Sequence, residues 1–311
     1  MPHDRVSSSL SLRIRTMLLV TGALGHSGRY FFEELAKTGY DGPIRAVIHR
    51  EADTTQLDAL PLSISYCSGD LKDPSFLKKI MTDVHTVLHI AGIQLSERLV
   101  TAGKEKGVER FILVHTTGRF SKYRQASADY IRIEDKLIAD NPNLTILRPT
   151  MIYGSSRDKN IWKLIGFLAR HRFFPLFGSG QNLMQPVHAR DLAKAYLGVL
   201  TAKEKTMGKQ YNLPGAAPLT YRQLLEIVAT GLNKKIIFLS LPLWLSVLLV
   251  GGARLVCLGH FPISVEQVLR MNEDKAFSWE EAAHDFGYAP QDFATGIQSE
   301  IKEYLLMHTP Q

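Results

Sequence analysis

Cysteine is scarce in this chain of 311 residues, which contains only Cys67 and Cys257. Two cysteines so far apart cannot build a disulfide framework, and neither belongs to a Cys-x-x-Cys zinc pattern. No His-Glu-x-x-His motif or Cys/His cluster has the spacing of metal ligands either, so we expect no metal. The cysteine usage favours a reducing compartment, and we predict a cytoplasmic protein.

Blocks of like charge are also absent. The chain has 37 Lys and Arg residues against 30 Asp and Glu, a net charge of +7, but no run of five like charges. A positive charge spread in this way does not form the arm typical of nucleic-acid binding. We therefore expect a small-molecule partner and no nucleic acid.

Long apolar runs are rare, and the exception is residues 236–253, which carry no charge. The run reaches the length of a membrane span, but Pro242, Gly251 and Gly252 interrupt it. We expect a buried helix here. Peripheral contact with a membrane surface and a true span stay open as alternatives.

Short apolar strands alternate with amphipathic helices over the first half of the chain. The predicted strands are residues 17–20, 44–48, 64–66, 86–90, 111–115 and 145–147. The predicted helices are residues 29–38, 94–106 and 127–140, and another begins after the N-cap Asp73. This alternation predicts an α/β fold with a Rossmann-type, doubly wound parallel sheet.

The alternation becomes irregular after about residue 150, which indicates a change of architecture. We interpret residues 1–16 as a tail, because they lack the apolar core of a signal peptide. Residues 17–150 are predicted to form a dinucleotide-binding domain. Residues 151–311 are predicted to form mostly a smaller substrate domain, with segments that return to pack on the first.

A glycine-rich turn joins the first predicted strand to the first predicted helix. Glycines at this spacing permit a tight turn, a close approach to a pyrophosphate and close helix–strand packing. The helix N-terminus that follows favours phosphate. The residues predicted to contact a dinucleotide here are Thr21, Gly22, Gly25, His26, Ser27 and Gly28.

The second predicted strand ends in His49 and Arg50, without the acidic residue that would bind the ribose hydroxyls of NAD. A guanidinium group suits a 2′-phosphate instead. Arg50 therefore favours NADP as the cofactor, with NAD as the alternative.

Several segments together resemble the extended short-chain dehydrogenase/reductase superfamily, and within it the NAD-dependent epimerase/dehydratase family. They are TGALGHSG at 21–28, GDL at 69–71, HIAG at 89–92, TILRP at 145–149 and QPVHARDLA at 185–193. The resemblance implies that Asp70 and Leu71 contact the adenine. It also implies that Ala91 and Gly92 lie under the cofactor and that Pro149 packs by the nicotinamide.

The family's catalytic pattern is only partly present. Thr117 matches the Ser or Thr that follows the fifth strand, but the family's Tyr-x-x-x-Lys positions hold Ala126 and Tyr130. Tyr123 and Tyr130 each lie within about one turn of the tyrosine position, so either phenol is a candidate to move the proton.

Two functions remain open at this point. The first is an NAD(P)-dependent enzyme that transfers hydride to or from a nucleotide-sugar or another carbonyl compound. Arg157, Lys159 and Asn160 would suit the diphosphate of such a substrate. The second is a non-catalytic NAD(P)-binding sensor or assembly protein, which the missing Tyr-x-x-x-Lys pair favours. The resemblance also implies a possible homodimer.

Overall fold

The computed structural model describes residues 16–256 and 264–308, so the predicted tail lies almost wholly outside the described residues. Within that part, the strands in chain order are β1 (Met17–Thr21), β2 (Ile44–Ile48), β3 (Ile64–Ser68), β4 (Val84–His89), β5 (Arg110–Val114), β6 (Thr145–Pro149), β7 (Ile152–Tyr153), β8 (Phe173–Phe177), β9 (Leu183–Met184), β10 (Val187–His188), β11 (Gln210–Leu213), β12 (Leu219–Thr220) and β13 (Ile237–Leu241).

The α-helices of the same described residues connect and flank these strands. They are α1 (His26–Lys37), α2 (Thr55–Asp58), α3 (Pro74–Ile80), α4 (Ser96–Glu105), α5 (Arg124–Asp140), α6 (Ile161–Arg170), α7 (Ala189–Thr201), α8 (Lys203–Thr206), α9 (Tyr221–Gly231), α10 (Leu243–Val256), α11 (Val265–Met271), α12 (Glu280–Phe286) and α13 (Phe293–His308). Short 3₁₀ turns precede α4 and α5 at Ile93–Leu95 and Thr117–Phe120.

The central sheet has the order β11-β6-β5-β4-β1-β2-β3 among the described residues, and every pairing in it is parallel. The predicted Rossmann-type doubly wound fold is confirmed. The strand order reverses between β1 and β4, and ligands of such sheets bind beyond the carboxyl ends of the strands at this switch point.

Two layers of helices cover the sheet because its central strands are apolar on both faces. On one face, Phe31 and Phe32 of α1 and Tyr196 of α7 are buried in one core cluster. On the other face, Leu99 of α4 and Ile133 of α5 belong to a second cluster. The switch point is therefore held between two rigid layers.

The rest of the chain builds a third core cluster, separate from the sheet. Its buried members come from β7, α6, β8, β9, α9 and α13, and include Ile165, Leu176, Leu225 and Ile301. Two later elements return to the central sheet: β11 pairs at its edge, and α7 packs on one of its faces.

The predicted elements of the first half are present, with shifted ends. Asp73 caps α3 as expected, since its side chain accepts a hydrogen bond from the N–H of Ser75. Helix α1 begins at His26, three residues before the predicted start, inside the glycine-rich turn.

The prediction of a single buried helix over residues 236–253 is wrong. The segment forms β13, which pairs with β8, and then α10 after Pro242. Trp244 and Leu248 are 70% and 64% exposed. Proline lacks an N–H group and restricts the residue before it, which separates the two elements. Within residues 16–256 and 264–308, no helix combines the length and apolar character needed to cross a membrane.

Candidate functional site

The glycine-rich turn after β1 is shaped to receive a phosphate. Gly22 has a left-handed φ of 74°, and a Cβ on Gly28 would lie 2.2 Å from the Gly22 carbonyl oxygen. Helix α1 begins at His26 without a side-chain cap from Gly25. The N–H groups of its first turn therefore lack intrahelical acceptors and lie at the positive end of the helix. This geometry fits the pyrophosphate of a dinucleotide.

A buried histidine ties together the ends of β1 and β4. Nδ1 of His89 lies 2.7 Å from Oγ1 of Thr21, and its Nε2 lies 3.0 Å from the Gly92 carbonyl oxygen. Burial lowers the pKa of His89 to about 4, so the ring is neutral. Nε2–H then donates to Gly92, and the Thr21 hydroxyl donates to Nδ1. Because the Ala91 N–H also donates to Thr21, Ala91 and Gly92 are held beside the turn.

The side chains of Ser27 and His26 are engaged in packing. Oγ of Ser27 accepts a hydrogen bond from the buried Tyr196 hydroxyl at 3.1 Å, so it faces α7. Its backbone N–H still belongs to the first turn of α1. Burial, followed by the nearby His188 and Arg157, lowers the pKa of His26 to about 4. His26 therefore presents a neutral ring beside the turn.

Arginine side chains surround the glycine-rich turn. Arg157 donates to the carbonyl oxygen of Leu24 at 3.2 Å. Burial, followed by repulsion from Arg157, lowers the pKa of Arg29, although Asp53 opposes that shift. Arg29 directly follows the glycine motif, and the sequence analysis did not identify it. Arg29 also donates to Oε1 of Gln56, and together with Arg157 it adds positive charge beside the turn.

Four further predicted cofactor residues lie at the ends of strands or just after them, at the same edge of the sheet. Arg50 lies exposed after β2 and makes no ion pair within the described residues. Asp70 follows β3, where its Oδ1 accepts from the Lys72 N–H at 2.9 Å, and Leu71 is buried beneath it. Pro149 ends β6. All four lie where the parallel sheet binds ligands.

The candidate catalytic residues lie at the start of α5 and in the turn before it. The hydroxyl of Thr117 donates to the Pro149 carbonyl oxygen at 3.3 Å. The ring of Tyr130 lies against the next residue, because a Cβ on Gly118 would be 3.2 Å from it. Tyr123 is the N-cap residue of α5. The structure thus brings the Tyr130 ring against the turn that contains Thr117.

A lysine that could lower the pKa of a helical tyrosine is not found beside Tyr130. The sequence of α5 contains one lysine, Lys136, and its Nζ pairs with Oε2 of Glu97 at 2.9 Å on the exposed side of the helix. Lys122 precedes the helix and is exposed. The described site therefore lacks the paired Tyr and Lys side chains of the family that the sequence resembles.

A buried ionic network lies below this position and was missed by the sequence analysis. Oε2 of Glu134 lies 2.9 Å from Nδ1 of His115. Arg148 donates to Oε1 of Glu134 at 2.7 Å, and Arg119 donates to the same oxygen. Burial would raise the pKa of Glu134, but hydrogen bonds from His115 and Arg148 hold it at about 2. Burial also lowers the pKa of His115. His115 and two arginines therefore satisfy one buried carboxylate.

The described residues contain no group of three His, Cys, Asp or Glu side chains arranged to hold a metal ion.

Comparison with protein families gives two matches. Residues 22–163 match the NAD(P)H-binding family, and residues 137–213 match the NAD dependent epimerase/dehydratase family. Together the matches cover the glycine-rich turn, α5 and the segments after β6.

Several known proteins are similar in sequence, and two of them bear on function. The chain is 26% identical to the mitochondrial NADH dehydrogenase [ubiquinone] 1 alpha subcomplex subunit 9 of Arabidopsis thaliana, over 88% of this chain and 72% of that protein. It is 25% identical to the ceramide reductase of Caulobacter vibrioides, over 58% of this chain and 59% of that protein.

Among solved structures, the UDP-glucuronic acid 4-epimerase of Bacillus cereus, in complex with UDP-glucuronic acid and NAD, is similar in fold. It superposes with a TM-score of 0.71 and 16% identity, over 94% of this chain and all of that one. At that identity the likeness bears on the fold alone.

Proposed function

Because the chain belongs to the extended short-chain dehydrogenase/reductase superfamily, in its NAD-dependent epimerase/dehydratase branch, we propose that it is an NAD(P)-binding protein that retains its dinucleotide as a structural group. In this role the nucleotide stabilises the protein or reports its redox state, and the protein does not turn over a substrate. The observation that carries the proposal is α5, where Ala126 and Tyr130 occupy the family's Tyr and Lys positions.

The residues of the turn fit such a dinucleotide. The backbone of Gly22, Gly25 and Gly28 would hold the pyrophosphate at the start of α1. Arg50 and Arg29 would face the adenosine ribose, where positive charge favours the 2′-phosphate of NADP over a free hydroxyl. A nicotinamide cofactor supplies hydride transfer when a partner for the proton is present.

The groups around Thr117 do not provide that partner readily. The Thr117 hydroxyl already donates a hydrogen bond to the Pro149 carbonyl oxygen. Both oxygens of the Glu134 carboxylate already have hydrogen-bond partners, in His115 and two arginines. A general base must reach the substrate proton within hydrogen-bonding distance and have a suitable pKa. A carboxylate with a pKa near 2, enclosed by cations, is a poor base.

An accessory role in a larger assembly agrees with this reading. The similar Arabidopsis protein is named as a subunit of NADH dehydrogenase, and the likeness spans most of both chains. We propose that the present chain likewise uses its dinucleotide fold to support a partner complex.

A second candidate function is a reductase of a carbonyl compound, with Tyr130 as the proton donor. The position of the Tyr130 ring against Gly118, next to Thr117, favours it. The ceramide reductase similarity favours it as well. A nucleotide-sugar stays possible as substrate through Arg157, although Arg157 binds the Leu24 carbonyl in the structure.

The test begins with the nucleotide content of the purified chain. Protein is denatured, and the released nucleotide is identified and counted by mass spectrometry. We expect NADP(H) to be retained by the wild type and lost in Gly25→Val, whose side chain would fill the pyrophosphate position. Gly252→Val, where a Cβ meets open space, is the control.

Hydride transfer is then followed by loss of NADPH absorbance with ceramide-like, aldehyde and nucleotide-sugar carbonyls. No turnover is expected from the retained-cofactor role. Steady turnover of any of these substrates would replace it with the reductase function. Nucleotide retention by Gly25→Val would contradict both.

A further inference from the structure

An apolar surface lies on the part of the chain that builds the third core cluster. It combines one face of the two-stranded ribbon β8–β13 with the outer side of α10. We call it the docking surface, and its exposed members are Phe173, Ile237, Leu239, Trp244, Leu248 and Leu249. Exposed apolar side chains grouped in this way usually mark an interaction site.

The ribbon has an apolar outer face because of its register. Phe173 pairs with Ile237, and Pro175 pairs with Leu239, in parallel orientation. Paired residues of neighbouring strands point to the same face, and alternate residues point to the other. Leu176 on the alternate face is fully buried. Phe173, Ile237 and Leu239, each more than half exposed, therefore face outward together.

Helix α10 follows the ribbon directly after Pro242 and also has an exposed apolar side. Trp244, Leu248 and Leu249 are exposed, whereas Ser246 and Val250 on the opposite side are buried. The helix has fourteen residues, which corresponds to a length of about 21 Å. A hydrocarbon core is about 30 Å thick, so a helix of this length suits a position along a membrane surface.

Positive charge is concentrated at one end of the ribbon. Arg170 and Arg172 precede β8, and Lys234 and Lys235 precede β13. Because the strands are parallel, these four residues lie at the same end, where the Ile237 N–H donates to the Arg172 carbonyl at 2.9 Å. None of the four forms an ion pair within the described part of the chain.

Acidic residues are missing from both segments that build this surface. The sequence has none between Asp158 and Asp191, and none between Glu226 and Glu266. An apolar face bordered by uncompensated cations is complementary to acyl chains and anionic headgroups. Tryptophan is also enriched at the membrane–water interface, where Trp244 would lie.

From these features we infer that the docking surface binds the face of a phospholipid bilayer that contains anionic lipids. Trp244, Leu248 and Leu249 enter the headgroup region, and the basic end of the ribbon contacts the phosphates. This inference does not depend on the proposed cofactor role, since the surface lies on other elements than the glycine-rich turn.

The test is flotation of the full chain with vesicles of phosphatidylcholine alone or with about one third phosphatidylglycerol. We expect binding to the anionic vesicles only, weakened by salt because surface charge is screened. Leu248→Asp and the pair Lys234→Glu with Lys235→Glu should each lower the bound fraction about tenfold, since they remove apolar insertion and headgroup attraction respectively.

Matched controls separate this surface from general effects. Leu306→Asp changes an equally exposed leucine. Leu306 lies in the last turns of α13, where its neighbours Tyr304 and His308 pack on Trp162 near the beginning of α6. The docking surface begins beyond the other end of α6. Lys79→Glu with Lys106→Glu reproduces the change of charge on the central-sheet part of the chain. Both controls should float like the wild type.

Three results would overturn the inference. The first is no flotation of the wild type with any vesicle, and the second is an equal loss in the controls and the surface variants. The third is elution of the chain as a dimer that Leu248→Asp dissociates, which would mean that the surface binds a second copy. Unchanged circular dichroism and unfolding midpoint exclude misfolding of the variants. A blue shift of Trp fluorescence that Trp244→Phe abolishes reports insertion.

Discussion

Glu300 of the last helix accepts a hydrogen bond from the backbone N–H of Gly154, with 2.6 Å between nitrogen and Oε2. The side chain is buried, and its Oε1 has no hydrogen-bond partner within the described residues. Burial, followed by the charge of Asp158, raises the pKa of Glu300 to about 8. The carboxyl group is therefore mostly neutral at pH 7, and it joins the end of the chain to the segment that follows β7.

This carboxyl group predicts a loss of stability as the pH rises. An unfolded glutamate titrates near pH 4.5, so between that value and about 8 the folded chain binds the additional proton. Its contribution is fully present below pH 4.5 and is lost as the pH increases through 8. Each unit by which the pKa is raised corresponds to about 1.4 kcal/mol.

Glu300→Gln should flatten this pH dependence, because glutamine is neutral throughout and can still accept from Gly154. Urea unfolding at pH 5.5 and pH 8.5 measures the difference. Glu226→Gln, at an exposed position of α9, should keep the wild-type slope. If Glu300→Gln retains the full dependence, another group is responsible.

The buried Glu134 network predicts a large effect on stability. Glu134→Gln removes the carboxylate that balances Arg148 and leaves a buried guanidinium without its counter-charge. Breaking a buried pair in this way costs about 3–5 kcal/mol. Asp135→Asn removes the neighbouring carboxylate, which is more than half exposed, and should cost less than about 1 kcal/mol. If Glu134→Gln and Asp135→Asn have equal free energies of unfolding, the prediction is wrong, and water solvates the charges of the network.

Arg50 predicts the nucleotide preference. Calorimetric titration of nucleotide-free protein should show tighter binding of NADP(H) than of NAD(H). Arg50→Ala should narrow that difference by about 1–3 kcal/mol, the size of a hydrogen bond to a charged group. Lys79→Ala, which removes an exposed charge on α3, should leave the difference intact. Equal affinities for both nucleotides in the wild type would contradict the 2′-phosphate assignment.

The two tyrosines distinguish the retained-cofactor role from the reductase. If the protein has the retained-cofactor role, Tyr130→Phe and Tyr123→Phe keep their nucleotide. The wild type and both variants then fail to turn over a carbonyl substrate. In the reductase, Tyr130→Phe lowers turnover by about 10²–10⁴-fold, the contribution of a general acid or base. Tyr123→Phe serves as the matched control, because Tyr123 is the N-cap residue of α5, whereas the ring of Tyr130 lies against Gly118.

The sheet could be predicted because each of its first six strands is a short apolar run followed by a turn or helix signal. Strand β11 was not predicted. Its sequence, QYNL, has no such run, and it forms because the edge of β6 is available, with Tyr211 opposite Leu147. Similarly, β13 depends on β8, a partner more than sixty residues away that periodicity within one segment does not identify.

The cofactor turn was predicted from its spacing of glycines because backbone conformation dictates those positions locally. The Glu134 network could not be predicted in the same way. His115, Glu134 and Arg148 come from β5, α5 and β6, and only the folded sheet brings their side chains together. Arg29 was missed because its role depends on Arg157, which the chain supplies from beyond β7.

Strand β11 also determines when the protein can fold during its synthesis. A nascent chain that has just completed β6 already contains β1 to β6, but the outer edge of β6 stays unpaired until residues 210–213 leave the ribosome. An unpaired parallel edge invites pairing with other chains, and the cover supplied by α7 is missing at that stage too. We therefore expect stalled chains that end before residue 210 to be protease-sensitive and bound by chaperones. Protease resistance should appear only once β11 has emerged.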